Sequence, residues 1–192
     1  MLPSDIRLNY PLNRESLVVD AGAYKGEFAQ SCMAKWGCRV VAFEPCKRFH
    51  DELVGLSATH ADNITVELEA LRNVGLCSRN SGATLSVLDD STSVFRHGSD
   101  KEPIELVDAD FVMRELGQVD LLKLNIEGSE FAVLERLIAT GSIDRVRFLL
   151  VQFHHIEPDC TPARRDAIRE GLAKTHREMW CQPFIWESWE RK

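Results

Sequence analysis

The chain lacks several features that mark common classes of protein. It has no apolar run near the roughly 20 residues that a membrane-spanning helix needs. Its first seven residues, Met-Leu-Pro-Ser-Asp-Ile-Arg, contain no apolar segment of the kind found in export signals. The six cysteines include no C-x-x-C pair, which argues against a structural zinc site. We therefore expect a soluble, cytoplasmic protein with reduced thiols, no membrane association and no metal centre.

Basic residues are also scarce. The 192 residues contain 23 Lys and Arg against 30 Asp and Glu, which gives a net charge of −7, and no stripe of Lys and Arg offsets it. Proteins that bind nucleic acids through the phosphate backbone need the opposite charge balance, so we expect no nucleic-acid partner. The hydrophobic fraction of 44% and the charged fraction of 28% are those of an ordinary globular protein, and the length fits one domain.

The spacing of apolar residues predicts strands that alternate with helices. The expected strands are 17–20, 39–44, 64–68, 119–126 and 147–153, and the expected helices are 27–36, 46–56, 129–139 and 161–175. This alternation predicts an α/β fold with a doubly wound, mainly parallel sheet and helices on both faces. Ligands of such sheets bind beyond the carboxyl ends of the strands, so functional residues are expected there.

Three segments lie outside this pattern. Residues 1–16 are a lead-in to the first strand. Residues 71–110 are interpreted as an irregular insertion with a small hairpin, a polar loop from 89 to 101 and a short strand near 104–106. Residues 179–192 form an aromatic tail that is expected to add a last strand. All three segments are assigned to a single domain that spans residues 1–192.

A turn with two glycines follows the first strand. Asp20 ends the strand, and Gly22, Ala23 and Gly26 belong to the turn. The spacing differs from the dinucleotide pattern G-x-G-x-x-G, because Tyr24 replaces the glycine that lets a pyrophosphate approach. An acid followed by G-x-x-x-G suits a ligand without phosphates that carries positive charge, such as S-adenosylmethionine. Taken alone, the turn also has a purely structural interpretation.

Glu44 strengthens the functional interpretation. It ends the second strand, where a carboxylate can accept hydrogen bonds from both hydroxyls of a ribose. Together with the turn after Asp20, it indicates a ligand that contains adenosine. The glycine spacing favours a methyl donor over NAD, and an NAD-dependent oxidoreductase remains the alternative.

The strand at 119–126 carries polar residues within an apolar sequence. An unpaired Lys123 ammonium would be costly there, so we expect it to pair with Asp20 on the neighbouring strand. Asn125 and Glu127 lie at the carboxyl end, where methyl donor and acceptor would meet. Glu130 is interpreted as an acid at a helix N-terminus, stabilised by the helix dipole.

His154 and His155 follow the last strongly apolar strand. A histidine at such an end can serve as a base or bind a metal ion. Adjacent residues on a strand point to opposite faces, so one of the two is expected to face the site. We predict that this histidine takes the proton from an alcohol acceptor, with Glu127 as the next candidate and a metal shared with Glu127 as an alternative. A structural role for the histidine pair is equally compatible with the sequence.

Three segments resemble the FkbM-type S-adenosylmethionine-dependent methyltransferases. They are V-V-D-A-G-A-Y-K-G-E-F-A, V-V-A-F-E-P and D-L-L-K-L-N-I-E-G-S-E-F-A-V-L, and the resemblance covers roughly residues 17–155. It implies a Rossmann-like class I methyltransferase fold, S-adenosyl-L-methionine as cofactor and O-methylation of a small molecule or sugar. By this resemblance the donor-binding residues are Asp20, Gly22, Gly26 and Glu44, and the late block contains Lys123, Glu127 and Gly128.

One position departs from the family pattern. The family usually carries aspartate where this chain has Asn125. Asparagine still hydrogen-bonds the donor's amino group or a substrate hydroxyl, but it is a weaker base or metal ligand. This departure and the short chain support a further alternative, a non-catalytic S-adenosylmethionine-binding module of the same fold. The sequence leaves the oligomeric state open, with a homodimer among the options.

Overall fold

The computed structural model describes residues 6–59, 64–65, 74–86, 101–156 and 158–192. The strands are β1 (Leu17–Ala21), β2 (Arg39–Phe43), β3 (Ile64–Thr65), β4 (Val74–Cys77), β5 (Ser81–Ser86), β6 (Lys101–Asp108), β7 (Val119–Leu124), β8 (Val146–Val151), β9 (His176–Gln182) and β10 (Trp186–Arg191). The α-helices are α1 (Glu27–Trp36), α2 (Lys47–Thr59), α3 (Ala109–Leu116), α4 (Glu130–Thr140) and α5 (Pro162–Leu172). Short 3-10 helices cover Ile6–Leu8 and Ser142–Arg145.

The main sheet is largely parallel, as predicted. Its strand order is β3-β2-β1-β7-β8-β10-β9, and the neighbours from β3 to β8 all run parallel. From β1 the chain moves outward to β2, and from β7 it moves outward to β8 in the opposite direction. Because such crossovers are right-handed, the helices after β1 and after β7 lie on opposite faces. The order reverses between β1 and β7, which is where a doubly wound sheet opens a ligand crevice.

Apolar strands and helix caps explain why these elements form. Val19 of β1, Leu122 of β7 and Leu149 of β8 are completely buried, as expected for strands covered on both faces. Helix α1 ends at Gly37, which adopts φ 63° and donates its N–H to the carbonyl of Met33. These local signals explain why sequence periodicity located the parallel core correctly.

The prediction of an irregular insertion at 71–110 is correct only for the short strand near 104–106, which lies within β6; the described residues of that region are otherwise more regular than predicted. They form a second, three-stranded sheet in which β6 runs parallel to β4 and antiparallel to β5. The predicted polar loop at 89–101 lies outside the described residues except for its last position. Helix α3, which follows β6, was not predicted. Its start is marked by Asp108, whose side chain accepts a hydrogen bond from the backbone N–H of Asp110.

The prediction of one last strand in the tail is also incomplete. Two antiparallel strands, β9 and β10, form a hairpin, and β10 pairs antiparallel with β8. The hairpin starts at His176, before the predicted tail, because the buried His176 ring contacts the carbonyl oxygen of Val146 at 3.0 Å. None of the helices in the described ranges combines the length and the apolar character that crossing a membrane requires.

Candidate functional site

The turn after β1 packs backbone against backbone. The N–H groups of Gly22 and Ala23 both donate to the carbonyl of Phe43, at 2.9 and 3.1 Å. Gly22 has φ +76°, and a Cβ added to it would lie 1.8 Å from the carbonyl oxygen of Asn125. Gly26 closes the turn by donating to the carbonyl of Ala23. A glycine is therefore required at position 22 both for its conformation and for the close approach of β7.

An ion pair lies beneath this turn. The Lys123 ammonium is 2.8 Å from Oδ1 of Asp20 and donates a 2.7 Å hydrogen bond to the carbonyl of Gly22. Asp20 is completely buried, and Lys123 is 5% exposed. The predicted pairing of these two residues is confirmed. Because the same ammonium binds the Gly22 carbonyl, the pair holds the turn in position.

Glu44 is anchored by the backbone. Its two carboxylate oxygens accept hydrogen bonds from the N–H groups of Tyr24 and Cys46, at 2.8 and 2.9 Å. Burial raises the pKa of Glu44 to about 7, although these two hydrogen bonds and Lys123 act in the opposite direction. Each oxygen keeps a further lone pair for another donor. The carboxylate therefore both shapes the Tyr24 end of the turn and retains accepting capacity.

A cavity of about 340 Å³ opens beside the turn. Its walls include Gly22, Ala23, Tyr24, Glu27, Phe28, Ser31, Lys123 and Asn125, together with Arg7, Leu8 and Trp186. The side-chain oxygen of Asn125 is buried and accepts no hydrogen bond from the described residues. Asn125 therefore brings an unused hydrogen-bond acceptor next to a cavity that is large enough for a small ligand.

The sequence-predicted residues contribute to this cavity unequally. Gly22, Ala23 and Asn125 line it, whereas Asp20 supports it from behind through Lys123. Sequence reasoning missed Arg7, Leu8 and Trp186, which come from the two ends of the chain. No local motif marks them, because only the folded sheet brings these segments together.

A second polar cluster lies where β7 and β8 end. Nε2 of His154 is 3.1 Å from Oε1 of Glu127, and Nδ1 of His154 is 3.0 Å from Oε1 of Glu130. Glu130 also accepts hydrogen bonds from the backbone N–H groups of His154 and Gly128, at 2.7 and 3.0 Å. Glu127 adopts φ 52°, an uncommon conformation for a residue with a side chain. The buried Glu130 therefore joins the two loops that carry the other members.

The two carboxylates control the charge of His154. Burial acts to lower the pKa of this imidazole, but hydrogen bonds to Glu127 and Glu130 outweigh burial and raise the pKa to about 9. At neutral pH the ring is therefore an imidazolium with both nitrogens directed at carboxylates. The described residues contain no group of three His, Cys, Asp or Glu arranged to hold a metal ion.

Two expectations about this cluster need correction. β8 ends at Val151, so His154 and His155 lie beyond the strand and strand alternation does not orient them. Instead Glu130 draws His154 inward, and the exposed His155 lies 5.4 Å from the Phe184 ring, measured between centroids. Glu130 does start helix α4, but its main contacts are side-chain hydrogen bonds rather than a general interaction with the helix dipole.

Comparison with known proteins connects this architecture to methyltransferases. The sequence model of the methyltransferase FkbM domain matches residues 20–177. No match was found among curated proteins. The solved structure of methyltransferase FkbM from Methylobacillus flagellatus KT has a TM-score of 0.65 and 17% identity over 95% of this chain and 45% of that chain. The chain thus spans less than half the length of that protein.

Smaller methyltransferase structures are similar over more of their own length. An rRNA methylase from Streptococcus thermophilus has a TM-score of 0.53 and 14% identity, over 100% of this chain and 98% of that chain. A putative rRNA-methylase from Clostridium thermocellum has a TM-score of 0.55 and 11% identity, over 94% and 88% of the two chains. At these identities the similarity shows the fold, which is that of class I methyltransferases.

Proposed function

Because the chain belongs to the FkbM methyltransferase family, we propose that it transfers a methyl group from S-adenosylmethionine to an oxygen of a small molecule or sugar. The family and fold imply this donor, which when bound supplies an electrophilic methyl group on a sulfonium centre. The protein's main task is then to hold the acceptor in line with that methyl group. The observation that carries the proposal is the cavity at the switch between β1 and β7, which is lined by Asn125, a residue whose buried side-chain oxygen has no partner among the described residues.

Residues in and next to the cavity fit the amino-acid end and the ribose of the donor. The Asn125 oxygen is an acceptor for the donor's ammonium group, which carries the matching hydrogens. Glu44 retains lone pairs for the ribose hydroxyls, and it holds the backbone of Tyr24 at the cavity wall. Lys123 and Asp20 keep the glycine turn in place without occupying the space of a ligand.

For the acceptor's proton, the geometry favours Glu127 over the histidines. An imidazolium has no lone pair to accept a proton, and both nitrogens of His154 already face carboxylates. His154 is therefore proposed to position Glu127, and Glu127 to accept the proton of an alcohol. His155 lies outside this arrangement, at the protein surface. Neither Glu127 nor His154 lines the cavity itself, which is consistent with a role at its acceptor side.

The net charge favours a small acceptor. Several similar structures are described as rRNA methylases, so RNA is the competing acceptor class. A net charge of −7 disfavours binding to the phosphate backbone of RNA. An NAD-dependent oxidoreductase has no support from the family or the similar structures. A non-catalytic donor-binding module differs from the enzyme only in turnover.

Calorimetry and a methyl-transfer assay test the proposal. Wild-type protein is titrated with S-adenosylhomocysteine and with NAD, and binding of the first alone is expected. Labelled donor is then incubated with panels of sugars, hydroxylated small molecules and rRNA. Label incorporated only into rRNA would contradict the acceptor class. Donor binding without transfer to any panel member would favour the non-catalytic module.

The role of Glu127 has a sharper test. Glu127→Gln removes the proton acceptor but keeps the shape of the side chain, so kcat should fall by roughly 10²–10⁴. Affinity for S-adenosylhomocysteine should change less than about twofold. The matched control is Glu115→Gln, the same change at an exposed position of α3. Full activity of Glu127→Gln would remove it from the mechanism, and activity lost with a chelator and restored by metal would favour the metal alternative.

A further inference from the structure

The lead-in segment closes one side of the cavity. The carbonyl of Leu8 accepts a 2.6 Å hydrogen bond from the Lys35 ammonium on α1. The buried Tyr10 hydroxyl lies 2.8 Å from the hydroxyl of Ser188 on β10. These two contacts hold the segment against both a helix and the last strand. They place Arg7 and Leu8 in the wall of the cavity, which the glycine turn also lines.

Arg7 carries a charge that no carboxylate of the described residues neutralises. Its guanidinium carbon lies 5.6 Å from the centroid of the Trp186 ring, a cation–π distance. No carboxylate of the described residues pairs with it, and none of their groups accepts a hydrogen bond from it. Lys123, the other cation in the wall, is engaged by Asp20 and by the Gly22 carbonyl. Arg7 is thus a half-buried, oriented cation whose hydrogen-bond donors are available to a ligand.

We propose that Arg7 binds the α-carboxylate at the amino-acid end of the methyl donor. This assignment rests on the proposed function, which gives the cavity a ligand with an ammonium and a carboxylate on one carbon. The Asn125 oxygen is the acceptor for the ammonium, so the carboxylate needs a cation nearby. Lys123 already contacts Asp20 and donates to the Gly22 carbonyl, whereas Arg7 has no carboxylate partner among the described residues. Trp186 orients the planar guanidinium, whose paired N–H groups match a carboxylate in a bidentate arrangement.

The negative charge of Glu27 supports the same orientation of the donor. Glu27 also lines the cavity, at the start of α1, and would repel a carboxylate placed beside it. The carboxylate is therefore directed toward the segment that carries Arg7. An N-terminal residue that precedes the first strand would in this way determine the affinity of a site otherwise built from β1 and β7.

The test compares two ligands that differ at the amino-acid end. S-adenosylhomocysteine has the carboxylate, whereas 5′-methylthioadenosine lacks the whole amino-acid end. Calorimetry is run on wild type, Arg7→Gln, Arg7→Lys and the control Arg14→Gln, an exposed arginine outside the cavity wall. Arg7→Gln should weaken S-adenosylhomocysteine about 10- to 100-fold and leave 5′-methylthioadenosine within twofold. The affinity of Arg7→Lys for S-adenosylhomocysteine should lie between those of wild type and Arg7→Gln, because lysine keeps the charge but loses the bidentate geometry.

Each other outcome has a distinct meaning. Unchanged affinity of Arg7→Gln for S-adenosylhomocysteine would overturn the assignment while leaving the proposed function intact. Equal weakening of both ligands would also overturn it, since the carboxylate would then not be the group that Arg7 recognises. Wild-type protein that binds neither ligand would overturn the proposed function and this assignment with it. Thermal unfolding of each variant verifies that it is folded, and Arg7→Lys serves as the milder change.

Discussion

The two polar clusters at the sheet edge are built in different ways. At the ends of β1 and β7, the backbone determines the geometry, through the Gly22 turn and its contact with Asn125. At the ends of β7 and β8, side-chain charges determine it, through His154 between Glu127 and Glu130. The first cluster should therefore be sensitive to shape, and the second to pH. Four substitutions test this contrast.

Gly22→Ala should have the largest effect. The new Cβ would lie 1.8 Å from the Asn125 carbonyl oxygen, and both groups belong to backbone that is tied into the sheet. We expect a loss above roughly 4 kcal/mol in the free energy of unfolding, measured by urea denaturation. Gly141→Ala is the control, because Gly141 has φ +77° but nothing within 4 Å of an added Cβ, so only about 1–2 kcal/mol of strain applies. Equal losses in the two variants would contradict the steric explanation.

Lys123→Met should cause the second largest loss of stability. It leaves the Asp20 carboxylate buried without a counter-charge and releases the Gly22 carbonyl, at a cost of about 3–5 kcal/mol in unfolding free energy. Lys47→Met breaks an exposed ion pair to Asp51, which water and salt screen, so it should leave the free energy of unfolding nearly unchanged. Adding Asp20→Asn to Lys123→Met should recover part of the loss. A Lys123→Met protein as stable as wild type would show that the pair does not hold the turn.

His154 should make stability depend on pH. Its pKa is raised from 6.5 to about 9 in the folded protein, so its contribution is fully present below pH 6.5 and is lost as the pH rises through 9. Between these values the wild-type unfolding free energy should fall by up to about 3 kcal/mol more than that of His154→Ala. His155→Ala changes the exposed neighbour, so its unfolding free energy should fall with pH as much as that of wild type. Parallel pH profiles for wild type and His154→Ala would refute the charged cluster.

Glu44→Ala should have the smallest effect, and mainly on binding. Affinity for S-adenosylhomocysteine should fall by about 1.5–3 kcal/mol, the range for hydrogen bonds to a charged group. Since burial raises the pKa of Glu44 to about 7, wild-type affinity should also drop from pH 8 to pH 6, and the variant should lose this dependence. Glu52→Ala, at an exposed position of α2, is the control. Unchanged affinity in folded Glu44→Ala would rule out ribose binding by this carboxylate.

The contrast between the clusters also explains which parts the sequence could predict. The glycine turn and the position of Glu44 were predictable, because each follows the end of an apolar strand. The pairing of Lys123 with Asp20 was predictable because an unpaired ammonium within an apolar strand is costly. The hydrogen bonds between Glu130 and His154 were not predictable, since the two residues are far apart in the chain and Glu130 has an ordinary explanation as a helix N-terminal acid. The second sheet was missed as a whole because β4 has only four residues and because polar residues interrupt the apolar pattern of β5 and β6.

Hydrophobic periodicity and strand ends are local properties, so they were enough to locate the parallel core and the sheet edge that carries the candidate site. Which side chains share the cavity depends instead on contacts between distant parts of the chain. Arg7 and Trp186 meet there because Tyr10 and Ser188 join the lead-in segment to β10, a contact between the two ends of the chain. The tertiary structure also decided the charge of His154, which depends on carboxylates brought together by two separate loops. Long-range contacts of this kind leave no periodic signal in the sequence.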